Sequence, residues 1–232
     1  AVVADNNDLT VWSTSFIGCY ANLGGGMYVD KHNNALTVHS SPFINCAAAE
    51  DGGGLYVVES NDNLQLLHCS VSGCSASRSG GGLYVKSMNN DTIIANTTFS
   101  HCTSDGGGAI YLDSSNANSS VTDSIFMGNS AVSSGGAIYF QEGNDMATIT
   151  RVLFADNSAG LGGGGIFAQS NNNDVRVRDT EFTGNRCGGG NGAAMNLYQQ
   201  NIGWIVHQSN FTNNTATISG GTPVGSLASK VD

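Results

Sequence analysis

The sequence predicts an all-β protein, a right-handed parallel β-helix (solenoid) of about eight coils, with about 28 residues and three short strands in each coil. Three observations support this prediction. An aromatic residue recurs every 27 to 29 positions, a Gly-rich run follows it, and a short run of alternating apolar residues precedes it. Self-similarity at a fixed period of this length is typical of repeat architectures, in which each unit packs on the next.

The aromatic position sets the register of the whole array. The residue five positions after it is alanine in most copies, and the residue two positions before it is small. Such sorting by size is expected when each position packs against its own copy in the neighbouring coil, about 4.8 Å away. One copy has Val71 at the aromatic position, and the other members are Phe16, Phe43, Phe99, Phe126, Phe154, Phe182 and Phe211.

The Gly-rich run and the alternating run supply the strands. An aromatic residue flanked by aliphatic residues ends most Gly-rich runs, and the alternating runs resemble Leu36-Thr37-Val38. A period of two is typical of β-strands, and no stretch has the length and period of a helix. The polar connection after each Gly-rich run is interpreted as an exposed corner. The Gly-rich runs occupy residues 24–29, 52–57, 80–85, 107–112, 135–140 and 163–168, with a worn copy at 192–197 and a remnant at Gly220 and Gly221.

Domain organisation and composition limit the classes of function that fit this chain. The repeat predicts a single β-helix domain over residues 1–232, with coils over about 9–221 and a tail over 222–232, and it also fits a segment of a longer chain. Only 8 Lys+Arg stand against 18 Asp+Glu, which gives a net charge of -10 and disfavours nucleic acid or an anionic membrane as partner. No apolar stretch approaches the roughly 20 residues of a membrane-spanning helix. These features predict a chain with no direct membrane span.

The two repeated motifs resemble the repeats of polymorphic outer membrane proteins, known from chlamydial adhesins and from surface proteins of algae and protists. A Gly-Gly-Ala-Ile tetrapeptide begins at Gly107 and at Gly135. The resemblance implies a right-handed β-helix displayed at a surface, often for adhesion. The first four copies depart from the family pattern, because cysteine stands where the family has asparagine. The family's Phe-x-x-Asn tetrapeptide occurs at 126–129, 154–157, 182–185 and 211–214.

Six cysteines and five glycosylation sequons carry the candidate modifications. Row neighbours about 4.8 Å apart lie within disulfide range, so Cys19 with Cys46 and Cys74 with Cys102 are candidate disulfides. A Cys46–Cys74 pair is the competing arrangement, and a ladder of small buried thiols is the alternative to both. Cys69 and Cys187 lie in other rows and are interpreted as buried space-fillers. The sequon asparagines are Asn90, Asn96, Asn118, Asn210 and Asn213.

An enzyme is the first alternative to a structural role, because β-helices also cleave polysaccharides. Asp123, Arg151 and Asp179 follow one another on successive coils and form the best charge constellation in the chain. Cross-strand opposite charges also stabilise sheets, so an ion-pair ladder is the preferred interpretation. The sequence predicts no catalytic residue, cofactor or metal site. The histidines fall at different offsets and are interpreted as isolated surface residues: His32, His39, His68, His101 and His207.

The aromatic residue of the Gly-rich run is the candidate binding surface. If its aliphatic neighbours point inward, its ring points outward, and six coils then form a strip that either binds a glycan or protein or only stabilises the fold. The predicted function is a non-enzymatic extracellular structural or adhesive module that stacks into a filament or larger surface assembly. Its expected partners are other copies, neighbouring β-helix or cell-surface proteins, and glycans. A polysaccharide-binding or polysaccharide-cleaving protein is the alternative. The strip comprises Tyr28, Tyr56, Tyr84, Tyr111, Tyr139 and Phe167.

Overall fold

The computed structural model of the chain describes residues 1–3, 8–189 and 191–217. Within these ranges every regular element is a β-strand, and all strand pairs are parallel. No described element is a helix long and apolar enough to cross a membrane. The glycine remnant at Gly220 and Gly221 and the predicted tail over 222–232 lie outside the described residues.

The strands form four sheets, which we name A to D, and successive turns of the chain add one strand to each sheet. Sheet A contains the Gly-rich runs and has the longest strands: Val2–Val3, Met27–Val29, Leu55–Glu59, Leu83–Ser87, Ile110–Ser114, Ile138–Glu142, Ile166–Ser170 and Met195–Gln199. Sheet B contains the alternating runs: Thr10–Trp12, Thr37–His39, Gln65–Leu67, Ile93–Ala95, Ser120–Thr122, Thr148–Thr150, Arg176–Arg178 and Ile205–His207.

Sheets C and D follow sheet B in every turn. Sheet C carries the aromatic position: Phe16–Ile17, Pro42–Ile44, Ser70–Ser72, Thr98–Ser100, Ile125–Met127, Leu153–Ala155, Glu181–Thr183 and Asn210–Thr212. Sheet D consists of two-residue strands: Tyr20–Ala21, Ala47–Ala48, Ser75–Ala76, Thr103–Ser104, Ser130–Ala131, Ser158–Ala159, Arg186–Cys187 and Thr215–Ala216.

The parallel solenoid is confirmed, with one correction to its internal plan. Phe126 lies directly opposite Phe154, as the repeat predicts. Seven turns are complete in the order B, C, D, A, with part of a turn at each end of the described array. Each turn has four strands, so the prediction of three was wrong. The strand of sheet D is two residues long, which is too short to show a period of two in the sequence.

A single core runs along the inside of the four sheets. In sheet A, Leu83 and Val85 point into this core, whereas Tyr84 between them belongs to a second, separate apolar cluster. The phenylalanines of sheet C stack inside the core. Their ring centroids are 5.1 Å apart for Phe99 and Phe126 and 5.0 Å apart for Phe126 and Phe154. The core therefore consists of rows of like residues, each repeated at the spacing between turns.

Candidate functional site

A row of buried asparagines occupies the corner between sheets A and B. The backbone N–H of Asn116 donates to Oδ1 of Asn144 at 3.1 Å, and Nδ2 of Asn144 donates to the carbonyl of Asp113 at 2.8 Å. Each amide thus satisfies backbone groups that the bend removes from the sheets. The interpretation of these corners as exposed was wrong at this position, because the asparagine there is at most 1 % exposed in six turns. The row comprises Asn33, Asn61, Asn89, Asn116, Asn144, Asn172 and Asn201.

A second row at the corner between sheets C and D contains both the cysteines and the family asparagines. Nδ2 of Asn157 donates to the carbonyl of Phe126 at 3.0 Å. The thiol of Cys46 makes the corresponding bond, with Sγ 3.3 Å from the carbonyl of Phe16. Cysteine therefore replaces asparagine in this row as a small buried donor. The row comprises Cys19, Cys46, Cys74, Cys102, Asn129, Asn157, Asn185 and Asn214.

All six cysteines are free thiols in this structure. Cys46, Cys74 and Cys102 are buried, Cys19 is half-buried, and desolvation raises the pKa of the Cys46 thiol. These four cysteines lie in one row on successive turns. Disulfides between adjacent turns therefore remain a prediction, either as Cys19–Cys46 with Cys74–Cys102 or as Cys46–Cys74. Cys69 and Cys187 are also buried.

The sequon asparagines lie on the outside of the solenoid. Asn96, Asn118, Asn210 and Asn213 are exposed, and three of them occupy bends with positive φ. Asn90 is half-buried, and its Oδ1 accepts a hydrogen bond from the backbone of Ala117 at 3.1 Å. Use of these five sites remains a prediction.

The charge constellation lies at the exposed corner between sheets B and C. Arg151 makes a bidentate ion pair with Asp123, with Nε–Oδ1 at 2.7 Å and Nη2–Oδ2 at 2.8 Å. This hydrogen-bonded guanidinium lowers the pKa of the Asp123 carboxyl. An ionised carboxylate held by arginine accepts protons poorly and donates none, which disfavours a general-acid role. Asp179 lies beyond ion-pair distance of Arg151. The predicted ion-pair ladder is therefore confirmed only for Asp123 and Arg151.

The aromatic strip lies on the outer face of sheet A, as predicted, but its rings are largely covered. Tyr56 and Tyr84 are 6 % and 8 % exposed, and their parallel rings have centroids 4.9 Å apart. The Tyr84 hydroxyl donates to Asp113 Oδ2 at 2.7 Å, and the Tyr111 hydroxyl donates to Oε1 of Gln141. Because each ring face is occupied by the next ring, little face remains for a sugar to stack on. This geometry favours the stabilising interpretation of the strip.

The tyrosine row predicts a loss of stability at alkaline pH. Burial is the main cause that raises the pKa of Tyr56 and Tyr139 to about 12, above the ordinary value near 10. A folded-state pKa above the unfolded-state pKa gives stability that is complete below pH ~10 and is lost as the pH rises through about 12. Urea unfolding between pH 9 and 12 should show this decline. The variant Tyr139→Phe should show a smaller decline, and equal slopes in both proteins would contradict the assignment.

Two histidines lie together, contrary to the interpretation of all five as isolated. The ring centroids of His39 and His68 are 5.0 Å apart, and the Trp12 ring is stacked on His39 with centroids 3.9 Å apart. His39 lies in a strand of sheet B, and His68 follows the next strand of that sheet. Among the described residues, no group of three or more His, Cys, Asp or Glu side chains is placed to hold a metal ion.

The first and last turns present strands that have a described neighbour on one side only. In sheets B, C and D these strands are Thr10–Trp12, Phe16–Ile17 and Tyr20–Ala21 at one end, and Ile205–His207, Asn210–Thr212 and Thr215–Ala216 at the other. Large apolar side chains are exposed near both ends, with Tyr20 at 74 % and Leu197 at 40 %. Unpaired strand edges are templates for further strands.

Comparison with protein families identifies two of these turns. The family model of the Chlamydia polymorphic membrane protein repeat matches residues 123–141 and 151–169. Each matched span runs from the corner before a sheet C phenylalanine to the following strand of sheet A, and contains the asparagine of the C–D corner. No curated protein matches the chain. The family is consistent with a place at the outer membrane or cell surface. The chain is therefore a parallel β-solenoid in which two adjacent turns match the Chlamydia polymorphic membrane protein repeat.

Proposed function

We propose that the chain is a non-enzymatic structural or adhesive module of the extracellular surface, and that its solenoids join end to end. The observation that carries this proposal is the four-sheet ladder itself, whose first and last described strands carry matching rows. Parallel strands that lack a neighbour pair readily with strands of the same register. The expected partner is a second copy of the chain or another β-helix of the same repeat.

The two ends of the array match row by row. Phe211 and Phe16 belong to the phenylalanine row, in which Phe182 and Phe211 have centroids 4.8 Å apart. Val206 and Val11 belong to the central row of sheet B. End-to-end contact would therefore continue an apolar row of the core in sheets B and C, and would cover side chains such as Val11, Val206 and Phe211 that are half-buried in the described array.

Two further observations support a structural role over polysaccharide cleavage. Asp123, the best carboxylate candidate, is held in a bidentate pair with Arg151. The rings of the aromatic strip cover one another, which leaves few ring faces for a saccharide. A glycan partner is compatible with an adhesive module but would have to bind elsewhere.

Sedimentation and negative-stain microscopy test the end-to-end proposal. The wild-type chain is expected to form linear assemblies whose length increases with concentration. Val206→Glu places a carboxylate at the joint, where the lone chain can keep it partly solvated, and is expected to give folded monomers. Ile205→Glu is the matched control in the same strand, because Ile205 points outward and is 45 % exposed, and it should assemble like wild type. A monomeric wild-type chain at high concentration, or unchanged assembly of Val206→Glu, would contradict the proposal.

A further inference from the structure

The solenoid brings an aromatic ring and two imidazoles together on sheet B. Trp12 and His39 are row neighbours, paired directly in the parallel sheet. His68 comes one position after the next member of this row, Leu67, and its φ of 53° belongs to the bend toward sheet C. This bend places its ring beside that of His39, at a centroid distance of 5.0 Å and an interplanar angle of 44°.

The His39 ring is held on two sides. Trp12 is stacked on it with an interplanar angle of 8°, and the Ser40 hydroxyl forms a hydrogen bond with its Nδ1 at 2.8 Å. That bond occupies Nδ1 and leaves Nε2 as the nitrogen that can bind a ligand. Metal-binding histidines are typically oriented in this way, by a hydrogen bond at the ring nitrogen that does not bind the metal.

We propose that His39 and His68 form a surface site for a divalent transition-metal cation, with Cu²⁺ bound most tightly. Two imidazoles that bind one ion at about 2.0–2.1 Å have ring centroids about 4.5 Å apart in cis square-planar positions, which Cu²⁺ prefers, and about 5 Å apart in a tetrahedral site. The observed separation is 5.0 Å, so a small ring movement brings both rings onto one Cu²⁺. Imidazole suits Cu²⁺, Ni²⁺ and Zn²⁺, of which Cu²⁺ generally binds most strongly. Mg²⁺ and Ca²⁺ prefer oxygen ligands and are not expected to bind. Water completes the coordination, and the net charge of -10 favours cation approach.

Three variants and one matched control test the site. His39→Thr introduces the residue that sheet B carries at the same row in Thr122 and Thr150. His68→Asn keeps a residue that tolerates positive φ, and the third variant combines both changes. His207→Thr is the control, because His207 occupies the row of Trp12 and His39 at the far end of the same sheet. Circular dichroism and thermal unfolding confirm that each variant folds.

Binding is measured with CuCl₂ by equilibrium dialysis and by tryptophan fluorescence. Cu²⁺ beside Trp12 should quench its emission. Trp204 directly precedes the eighth strand of sheet B, seven turns from Trp12, and serves as the internal reference. Each single variant is expected to lose roughly tenfold or more in Cu²⁺ affinity, since even outer-shell changes typically cost about 10–100-fold. The double variant should bind one Cu²⁺ fewer than wild type and lose the quenching of Trp12.

The controls separate this site from general cation binding. His207→Thr should keep wild-type stoichiometry, and a tenfold excess of MgCl₂ should leave the quenching unchanged. Electron paramagnetic resonance of the wild-type complex should show two imidazole nitrogens on one Cu²⁺. Equal stoichiometry and affinity in wild type and in the folded double variant would overturn the proposal, and so would loss of quenching by MgCl₂.

Discussion

Gly136→Ala is expected to prevent the chain from folding into a continuous solenoid. A Cβ at Gly136 would lie 2.2 Å from the carbonyl oxygen of Gly164 and 2.4 Å from that of Ser158. Both atoms belong to the backbone of the next turn, so neither can move aside without breaking the ladder. An overlap of this kind in a close-packed interior is expected to cost more than about 4 kcal/mol. Urea unfolding followed by circular dichroism measures the loss.

Gly82→Ala is the matched control for this prediction. Gly82 belongs to the neighbouring glycine row, which already contains Ala109, Ala137 and Ala194. A Cβ at Gly82 would meet one backbone carbonyl at 2.8 Å, and its other close contacts, at 2.9 and 3.1 Å, are with the Phe99 and Val71 side chains, which can shift. This variant should fold and lose far less stability than Gly136→Ala. If the two variants were equally stable, the close approach of successive turns would not be the reason for glycine at position 136.

Asn157→Ala is expected to lower the free energy of unfolding by about 3–5 kcal/mol. Asn157 is 0 % exposed, and its Oδ1 accepts hydrogen bonds from the backbone and side chain of Asn129 at 3.0 and 2.9 Å. Its Nδ2 donates to the carbonyl of Phe126 at 3.0 Å. Alanine would leave these buried polar groups without a partner and create a cavity.

Asn157→Cys distinguishes the loss of the hydrogen bonds from the loss of volume. The first four turns carry cysteine in this row, and the Cys74 thiol lies 3.5 Å from the carbonyl of Phe43 in the place of the amide. The cysteine variant should therefore lie between wild type and Asn157→Ala in chemical denaturation. A cysteine variant as unstable as the alanine variant would show that the thiol does not replace the amide as a donor.

The sequence was sufficient to predict the rows of the solenoid. Phenylalanine stacking was predictable because a bulky residue at a constant spacing must pack against its own copy, and Phe126 lies opposite Phe154. The direction of the tyrosines followed from alternation with Leu83 and Val85. Whether their rings remain accessible was not predictable, because coverage depends on the tilt of one ring against the next and on neighbouring backbone.

Three features were not predicted from the sequence, each for a physical reason. The strands of sheet D are too short to alternate, so nothing in the pattern separates Tyr20–Ala21 from a turn. The asparagines of the A–B corner lie 17 to 19 residues after the aromatic position, a signal that was present. It was missed because asparagine in a turn is usually exposed, whereas here its amide replaces the sheet hydrogen bonds. His39 and His68 lie side by side because of the backbone bend at His68, and counting positions from the aromatic residue does not reveal this bend.

The asparagine ladders have a consequence for the length of the solenoid. Their hydrogen bonds join residues such as Asn116 and Asn144, 28 positions apart, and so connect only adjacent turns. Gain or loss of one whole repeat would leave every remaining donor with an equivalent acceptor. The rod can therefore change in length by increments of about 4.8 Å without any new chemistry. The number of repeats alone would therefore set the distance between the two ends of the solenoid.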